Sequence, residues 1–230
     1  MNGGENSRSA LDEVCRRYWQ PIHQTIVQRR YPESEAQDLT QEFIVKLTDS
    51  SLWRRADPSR GKFRSFLLGA LARFLRETEL RRRAQKRGGS VVHVSSDEMG
   101  TDEAFADPEF AEEIVRTFDR NWAIGIMSEA LKRTRQEYES AGKGRLFDAL
   151  KSYLPAGKEA PAYLPTAENL GLHLATLKTE IHRLRLAFKA NIRAEVSQTV
   201  SAPHEIEAEL AWLQQILMDR GSRLHGAEAG

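Results

Sequence analysis

Residues 63–87 read FRSFLLGALARFLRETELRRRAQKR, and this amphipathic stretch sets the architecture of the first half of the chain. Apolar residues recur in it every three or four positions, which is the period of one face of an α-helix. This stripe consists of Phe63, Phe66, Leu67, Ala70, Leu71, Phe74 and Leu75. An arginine cluster and the pair Gly88-Gly89 follow, so the stretch predicts one long helix with an apolar back and a basic end.

The same helical period occurs on both sides of this stretch. Two helices are predicted before it, and Pro21 should start or kink the first of them. Their stripes are Leu11, Val14, Tyr18, Ile22 and Ile26 in the first and Ala36, Leu39, Phe43 and Leu47 in the second. Later helices are marked by Trp122, Ile126, Ala130 and Leu131, and then by Leu146, Phe147 and Leu150. Only residues 91–94 resemble a strand, so we predict an all-α chain.

The order of these patterns predicts two small helical domains joined by an acidic linker. The first domain spans residues 10–87, the linker 88–117 and the second domain 118–196. A C-terminal extension at 197–230 contains a further amphipathic helix that starts at Pro203. Its stripe is Ile206, Leu210, Leu213 and Leu217. We expect this helix to dock on the second domain, and the binding site of a regulator is the alternative.

Composition excludes several classes of protein. A chain of 230 residues with 40% hydrophobic residues can form one large core or two small ones. It has no run of about eighteen apolar residues, so a membrane span is not expected. The single cysteine, Cys15, excludes a disulfide framework, and the scattered histidines predict no metal site. The polar start of the chain lacks the apolar core of a signal peptide, so we expect a cytoplasmic protein.

Charge is divided into blocks of opposite sign, although the formal net charge is only +1. Residues 54–87 contain twelve basic and three acidic residues, a balance of +9. Residues 97–119 contain nine acidic residues and one basic residue, a balance of −8. A second basic segment lies at 176–185. Charge runs are often only solvated surfaces, but two separate positive sites favour a long polyanion, and DNA is the partner that they predict.

The segment that reads DLTQEF from Asp38 onwards carries the first candidate site. At helical spacing, Leu39 and Phe43 face inward, whereas Asp38, Gln41 and Glu42 share the outward face. Asp38 and Glu42 place like charges at i,i+4, which costs an isolated helix roughly 0.2–0.5 kcal/mol. Such a cost on an exposed face indicates a basic partner surface, and an ordinary solvated face is the alternative.

The basic flank and end of the long helix are the second candidate site. The arginines there are Arg64, Arg73, Arg76, Arg81, Arg82 and Arg83. Guanidinium groups bind phosphates and stack on exposed bases, so these side chains predict a site for a nucleic-acid strand. The phenylalanines of the same helix are assigned to the core.

A helix, a glycine turn and a second helix form the third candidate site. Ala167 and the pair Leu170-Gly171 have the spacing of a helix-turn-helix. The second helix buries a stripe of Leu177, Ile181, Leu184 and Phe188. The residues left to face the major groove and its phosphates are Thr176, Lys178, Thr179, His182, Arg183 and Arg185. Helix hairpins without a DNA partner share this pattern.

In order and spacing, these three stretches together resemble a bacterial RNA polymerase sigma factor of the extracytoplasmic-function type. The segment from Asp38 to Phe43 resembles the helix that docks on the polymerase clamp. Residues 63–83 resemble the helix that melts and reads the −10 element, and 163–185 resemble the helix-turn-helix that reads the −35 element. The resemblance covers roughly residues 10–200, and its first stretch is the most specific.

The resemblance implies a non-catalytic subunit for transcription initiation that needs no cofactor. Its partners would be core RNA polymerase and promoter DNA, and an anti-sigma protein or a kinase would be the regulator. The polymerase would bind Asp38, Leu39, Gln41 and Glu42. The arginines of the long helix would hold the −10 strand with one base flipped out, and the helix-turn-helix would anchor on duplex DNA upstream.

Three departures from the family pattern bear on promoter choice. Pro165-Thr166-Ala167 stands where the family usually has Glu-Leu-Ala, so an acidic contact is lost. Phe74 stands where many relatives have Asn, and Glu180 adds a negative charge to the second helix of the helix-turn-helix. Together these differences predict an unusual promoter preference and weak binding to the −35 element.

Two other functions share part of this pattern. One is a stand-alone helix-turn-helix regulator that never binds polymerase, and the other is a sigma-like adaptor that binds polymerase without opening promoters. An enzyme is not expected, because the chain has no GxxxxGK[ST] loop and no readable nucleophile–base pair. The acidic linker has two open roles: it threads the nucleic-acid channel of the polymerase, or it folds back on the arginine cluster and blocks DNA binding.

Overall fold

The computed structural model describes residues 18–49, 63–86, 108–155, 161–200 and 203–226. Within these residues the chain has eight α-helices, two 3-10 turns and no strand, which confirms the all-α prediction. The helices are α1 (18–28), α2 (Glu33–Asp49), α3 (Phe63–Lys86), α4 (Pro108–Ser140), α5 (Gly144–Leu150), α6 (Tyr163–Leu170), α7 (Leu174–Ser197) and α8 (Ile206–Gly226). The 3-10 turns are Lys151–Tyr153 and Pro203–Glu205.

The chain forms two compact units, Met1–Trp122 and Ala123–Gly230. Helices α1 to α3 belong to the first unit, and α5 to α8 belong to the second. Residues 108–122 of α4 are part of the first unit, and residues 123–140 are part of the second. The predicted limits of the domains and of the linker differ from these units and stay predictions.

The core of the first unit is built from the predicted stripes of α1, α2 and α3. The buried members are Tyr18, Ile22, Ile26, Ala36, Leu39, Phe43, Leu47, Leu67, Ala70, Leu71, Phe74 and Leu75. The rings of Phe43 and Phe74 meet with their centres 5.4 Å apart, which joins α2 to α3. Burial of each large apolar side chain stabilises the fold by about 1.5–3 kcal/mol, so the period of the sequence directly selects these contacts.

A buried polar network links α1 to α4 inside the first unit. Residues 18–28 remain helical around Pro21, and the hydroxyl of Thr25 donates to the Pro21 carbonyl at 2.6 Å. The amide nitrogen of Asn121 donates to the Thr25 hydroxyl at 3.3 Å, and Gln28 donates to the Asn121 carbonyl oxygen at 3.1 Å. Buried polar groups need such partners, so the network fixes the register of α4 against α1.

Helix α4 starts earlier than its sequence pattern predicts. The composition predicts a linker up to residue 117 and a helix start near Phe118, but α4 begins at Pro108. Ile114 and Phe118 are fully buried, and Tyr18 stacks on Phe118 with ring centres 6.1 Å apart. These apolar residues recur every four positions, and their burial outweighs the acidic composition around them. Residues 88–107 of the predicted linker lie outside the described residues.

The core of the second unit lies between α4, α5, α6 and α7. It comprises Ala130, Phe147, Leu150, Tyr153, Leu154, Ala167, Leu177, Ile181, Leu184 and Phe188. Leu131, which the periodicity assigns to the apolar stripe of α4, is instead exposed. Gly142 ends α4 with φ at +72°, the left-handed conformation that glycine adopts at least cost.

The C-terminal helix α8 packs against α7, as expected for docking on the second domain. Among the α8 side chains that the structure describes, Leu213 is buried, and Ile206, Leu210 and Leu217 are half-buried. An ion pair between Arg193 of α7 and Glu207 of α8 joins the two helices at the surface. The apolar stripe therefore serves packing within the second unit.

Candidate nucleic-acid interface

Helix α2 presents the acidic and amide side chains of the first candidate site on its outer face. Asp38 and Gln41 are exposed, Glu42 is half-exposed, and Val45 extends the same face with 55% of its surface exposed. Leu39 is buried, with only 8% exposed, so it positions the helix through the core. Three of the four residues predicted to bind polymerase therefore share one accessible surface.

Glu42 connects this surface to the basic helix α3. Its carboxylate lies 2.8 Å from Lys46 Nζ on the same helix and 3.7 Å from a guanidinium nitrogen of Arg81 on α3. The side chains of Glu42, Lys46 and Arg81 are each about 40% exposed, so the pairs are screened by water and contribute little to stability. Their effect is to place an acidic and a basic candidate surface side by side.

The described arginines of α3 contact partners within the first unit. Arg73 donates to the Gly69 carbonyl at 3.3 Å, and a guanidinium nitrogen of Arg83 lies 3.9 Å from Glu79. The guanidinium of Arg82 lies 5.0 Å from the ring centre of Tyr31.

The guanidinium of Arg76 lies 5.9 Å from the ring centre of Phe110. Arg64 belongs to α3, but its side chain lies outside the described residues. Together with Arg81, four of the other five predicted DNA-binding arginines therefore contact a side chain of the protein in this state, and Arg73 contacts a backbone carbonyl.

Arg29 is a basic residue of this region that the sequence patterns did not single out. Its Nε and Nη2 donate to Glu79 at 3.2 and 2.8 Å, and its Nη1 donates to Glu113 at 2.6 Å. Burial alone would lower the pKa of Arg29, but the hydrogen bonds and charges of both carboxylates raise it above its ordinary value. A weak sequence signal existed, because Arg29 follows the buried Ile26 by three residues and stands in the turn directly after α1.

In the second unit, a three-residue turn joins α6 to α7. Gly171 has φ at +62°, and Leu172 donates its backbone N–H to the Ala167 carbonyl at 2.9 Å, which closes the end of α6. Tyr153 fixes the other end of α6, because its hydroxyl lies 2.7 Å from the Thr166 hydroxyl. The rings of Tyr153 and Tyr163 also stack, with centres 5.3 Å apart.

Helix α7 exposes all six residues that were predicted to face DNA. Its buried side carries the predicted stripe of Leu177, Ile181, Leu184 and Phe188. The exposed residues are Thr176, Lys178, Thr179, His182, Arg183 and Arg185. The Thr179 hydroxyl donates to the Ala175 carbonyl, and the Lys178 ammonium lies 6.0 Å from the ring centre of Tyr163. This face carries cations and hydroxyls, which are groups that contact phosphate oxygens in protein–DNA complexes.

Arg185 has a structural partner that the sequence did not indicate. Its Nε and Nη2 donate to the Tyr153 carbonyl at 3.1 and 3.0 Å. Its guanidinium therefore holds α7 to the 3-10 turn before α6. Only the N–H donors that do not bond to Tyr153 remain for another partner. Among the six residues assigned to DNA, Arg185 is the one tied by side-chain hydrogen bonds to a distant part of the backbone.

Glu180, a predicted source of repulsion, is largely neutralised by its surroundings. Its side chain is only 12% exposed and accepts a hydrogen bond from Arg183 at 2.7 Å. Lys143 adds a second cation, with its ammonium 3.9 Å away. The negative charge thus lies between Lys143, in the turn after α4, and Arg183 on α7, and it orients Arg183 along the helix.

Neither a membrane-spanning helix nor a metal site occurs among the described residues. No helix there is both long and apolar enough to cross a bilayer. No group of three or more His, Cys, Asp and Glu side chains there is arranged to hold a metal ion.

Known protein families, curated proteins and solved structures contain no match to this chain. Its function is therefore inferred from its residues and their contacts.

Proposed function

We propose that this chain is a sigma factor, a non-catalytic cytoplasmic subunit that directs core RNA polymerase to promoters and assists promoter opening. The observation that carries the proposal is the exposed basic face of α7 after the Gly171 turn. In this proposal α6 and α7 are a helix-turn-helix whose second helix enters the major groove of the −35 element. Lys178, His182 and Arg183 then supply the contacts to phosphates and base edges.

The first unit supports the same proposal through its two adjacent surfaces. Asp38, Gln41 and Glu42 offer an acidic, hydrogen-bonding face that suits a basic surface of the polymerase clamp. The arginines of α3 suit the phosphates and unstacked bases of a melted strand. Because Arg81 lies beside Glu42, one partner that covers the first surface also approaches the second.

Co-elution with core RNA polymerase tests the proposal most directly. The wild-type chain is compared with the triple variant Asp38→Ala/Gln41→Ala/Glu42→Ala. The matched control removes the same three residue types from exposed positions of the second unit, and it carries Glu129→Ala, Gln136→Ala and Asp148→Ala. We expect the wild type and the control to co-elute with polymerase, and we expect the triple variant not to co-elute.

Transcription then separates a sigma factor from an adaptor. A polymerase that carries the wild-type chain should produce transcripts from promoters selected from a genomic library. Promoter-independent binding without transcripts would favour the adaptor, and equal retention of the triple variant and the control would contradict the proposed clamp surface.

A stand-alone DNA-binding regulator is the second candidate, and one observation favours it. The described arginines of α3 contact partners within the protein, whereas Thr176 and His182 on α7 are exposed. A regulator of this kind would bind duplex DNA tightly through α7 without polymerase. Tight sequence-specific duplex binding by a chain that never co-elutes with polymerase would favour this alternative over the sigma factor.

A further inference from the structure

The first turns of α4 cover a pair of cations in the first unit. The carboxylate of Glu113 lies 2.6 Å from Arg29, and the ring centre of Phe110 lies 4.7 Å from the Arg29 guanidinium. The same ring centre lies 5.9 Å from the guanidinium of Arg76 on α3. One aromatic ring and one carboxylate, three residues apart on a helix, thus engage two arginines from two other segments of the first unit.

This arrangement matches the chemistry of a nucleotide. An aromatic ring against guanidinium groups reproduces the contact of an unstacked base with arginine, which is a cation–π interaction. A carboxylate on a guanidinium reproduces the charge-assisted hydrogen bond that arginine makes with phosphate. Phe110 therefore stands where a base could lie, and Glu113 stands where a phosphate oxygen could lie.

We propose that Arg29 and Arg76 form a subsite for one nucleotide of single-stranded DNA, and that the Phe110–Glu113 turn occupies this subsite in the free protein. The inference rests on the proposed function, because it takes DNA as the ligand of the first unit. It adds Arg29 to the strand-binding residues and gives the start of α4 a regulatory role. DNA binding then requires this turn to lift.

The burial pattern of α4 permits such a movement. Pro108, Glu109 and Glu112 are exposed, and Phe110 is half-buried, so the first turn of α4 is not part of the fully buried core. Ile114 is fully buried and anchors the helix immediately afterwards. Helix ends open at lower free energy than buried helix centres, so residues 108–113 can separate from Arg29 without disrupting the core.

Glu79 keeps the site assembled when the turn lifts. It accepts hydrogen bonds from Nε and Nη2 of Arg29, and it leaves Nη1 to Glu113. The Arg29 guanidinium therefore stays oriented by α3 while the nitrogen that now binds Glu113 becomes available to a phosphate. The proposed subsite is therefore preorganised by Glu79 and covered by the first turns of α4, unlike an exposed basic surface with mobile side chains.

The test measures binding of a short fluorescent single-stranded DNA by the full chain without polymerase. Glu113→Gln removes the negative charge that faces Arg29. Glu112→Gln is the matched control, because it removes an equal charge from the neighbouring exposed position. Phe110→Ala/Glu113→Gln clears both parts of the turn. Circular dichroism and thermal unfolding confirm that each variant remains folded.

We expect Glu113→Gln to bind about threefold more tightly than the wild type, and the double variant about tenfold more tightly. The dependence of affinity on salt should steepen, by a slope of about 0.7 for each further phosphate of the single strand that the protein neutralises. Glu112→Gln should bind like the wild type. Adding Arg76→Ala to the double variant should remove the increase in affinity.

Three outcomes would overturn the subsite: equal effects of Glu112→Gln and Glu113→Gln, no tighter binding by folded variants, or tighter binding that persists without Arg76. Co-elution of the same variants with polymerase separates this inference from the proposed function. Retained polymerase binding with unchanged DNA affinity refutes the subsite alone. Tighter DNA binding by a chain that never binds polymerase supports the subsite and refutes the sigma factor.

Discussion

Arg185 of α7 donates two hydrogen bonds to the backbone carbonyl of Tyr153, 32 residues earlier in the chain. The Tyr153 hydroxyl in turn bonds to Thr166 of α6 at 2.7 Å. Tyr153 is thus the point at which the helices on both sides of the Gly171 turn are held. The angle between α6 and α7 depends on this residue, and so does any DNA interface built on that pair.

Replacing Arg185 should therefore lower the stability of the fold, and it should affect DNA affinity less. Arg185→Ala leaves the Tyr153 carbonyl without its guanidinium donors, and we expect a loss of about 1–2 kcal/mol in the free energy of unfolding. Arg183→Ala should cost less than Arg185→Ala, because the Arg183 side chain is 62% exposed and Lys143 still faces Glu180 in the variant. Urea denaturation of both variants measures the difference.

We expect the two variants to rank in the opposite order when DNA affinity is measured. At a temperature where both are folded, Arg183→Ala should weaken duplex binding more than Arg185→Ala. Greater loss of binding in folded Arg185→Ala would show that its remaining donors contact DNA, as the sequence predicted.

Glu180→Gln should strengthen DNA binding by about threefold, because it removes a negative charge next to the exposed face of α7. Arg183 loses its charged partner at 2.7 Å and becomes available to phosphate. Burial and the charge of Glu180 raise the pKa of Tyr138, so this phenol should titrate at lower pH in the variant. Fluorescence anisotropy and a phenolate titration check the two effects, and Glu139→Gln serves as an exposed control on α4.

Asn191 holds α7 to α4 through buried polar contacts. Its amide nitrogen donates to the Thr134 hydroxyl and to the Glu137 carboxylate, both at 3.0 Å. Asn191→Leu should cost about 1–2 kcal/mol of stability through lost hydrogen bonds.

Asn191→Asp should cost more than Asn191→Leu at neutral pH, since it places a carboxylate against Glu137. Burial and this neighbour raise the pKa of the new carboxyl, so the Asp variant should regain stability as pH falls. A constant difference between the two variants across an acid titration of unfolding would contradict this account.

Tyr31 should respond to alkaline pH. It is only 4% exposed, and its hydroxyl has no hydrogen-bond partner among the described residues. Burial and the charge of Glu79 raise the pKa of this phenol above its ordinary value of 10.0. Its pH-dependent contribution to stability is therefore complete below pH 10.0 and is lost as pH rises through the raised folded value.

Tyr31→Phe removes both the unpartnered hydroxyl and this titration. At neutral pH the variant should be as stable as the wild type or up to about 1 kcal/mol more stable. Above pH 10.0 its advantage should grow, because only the wild type can ionise this phenol on unfolding. Chemical denaturation at neutral and alkaline pH measures both differences, and an advantage that shrinks with pH would refute the assignment.

The helices and their buried faces could largely be read from the sequence, because periodicity is a local property. Each apolar stripe repeats within a few residues, and the buried side of a helix follows from that repeat alone. The start of α4 shows the limit of this reasoning. Pro108 and the glutamates after it are signals of a helix start, but the acidic composition of the segment concealed them.

The candidate site was only partly readable, because its partners are distant in sequence. Arg29 bonds to Glu79 and Glu113, which lie 50 and 84 residues further along the chain. No spacing rule relates such positions. The sequence therefore identified cations as candidates for DNA binding but did not indicate which of them already contact a carboxylate or an aromatic ring.

Helical periodicity separates apolar from polar side chains along the sequence. The sequence alone therefore predicted the all-helical class, the core faces of α2, α3 and α7, and the exposed acidic and basic residues. The packing of the helices added the cover of Phe110 and Glu113 over Arg29 and the bond from Arg185 to Tyr153. Ion pairs and ring contacts of this kind form between the surfaces of different helices. Which surfaces meet is fixed only when the helices pack, because the partners lie far apart along the chain.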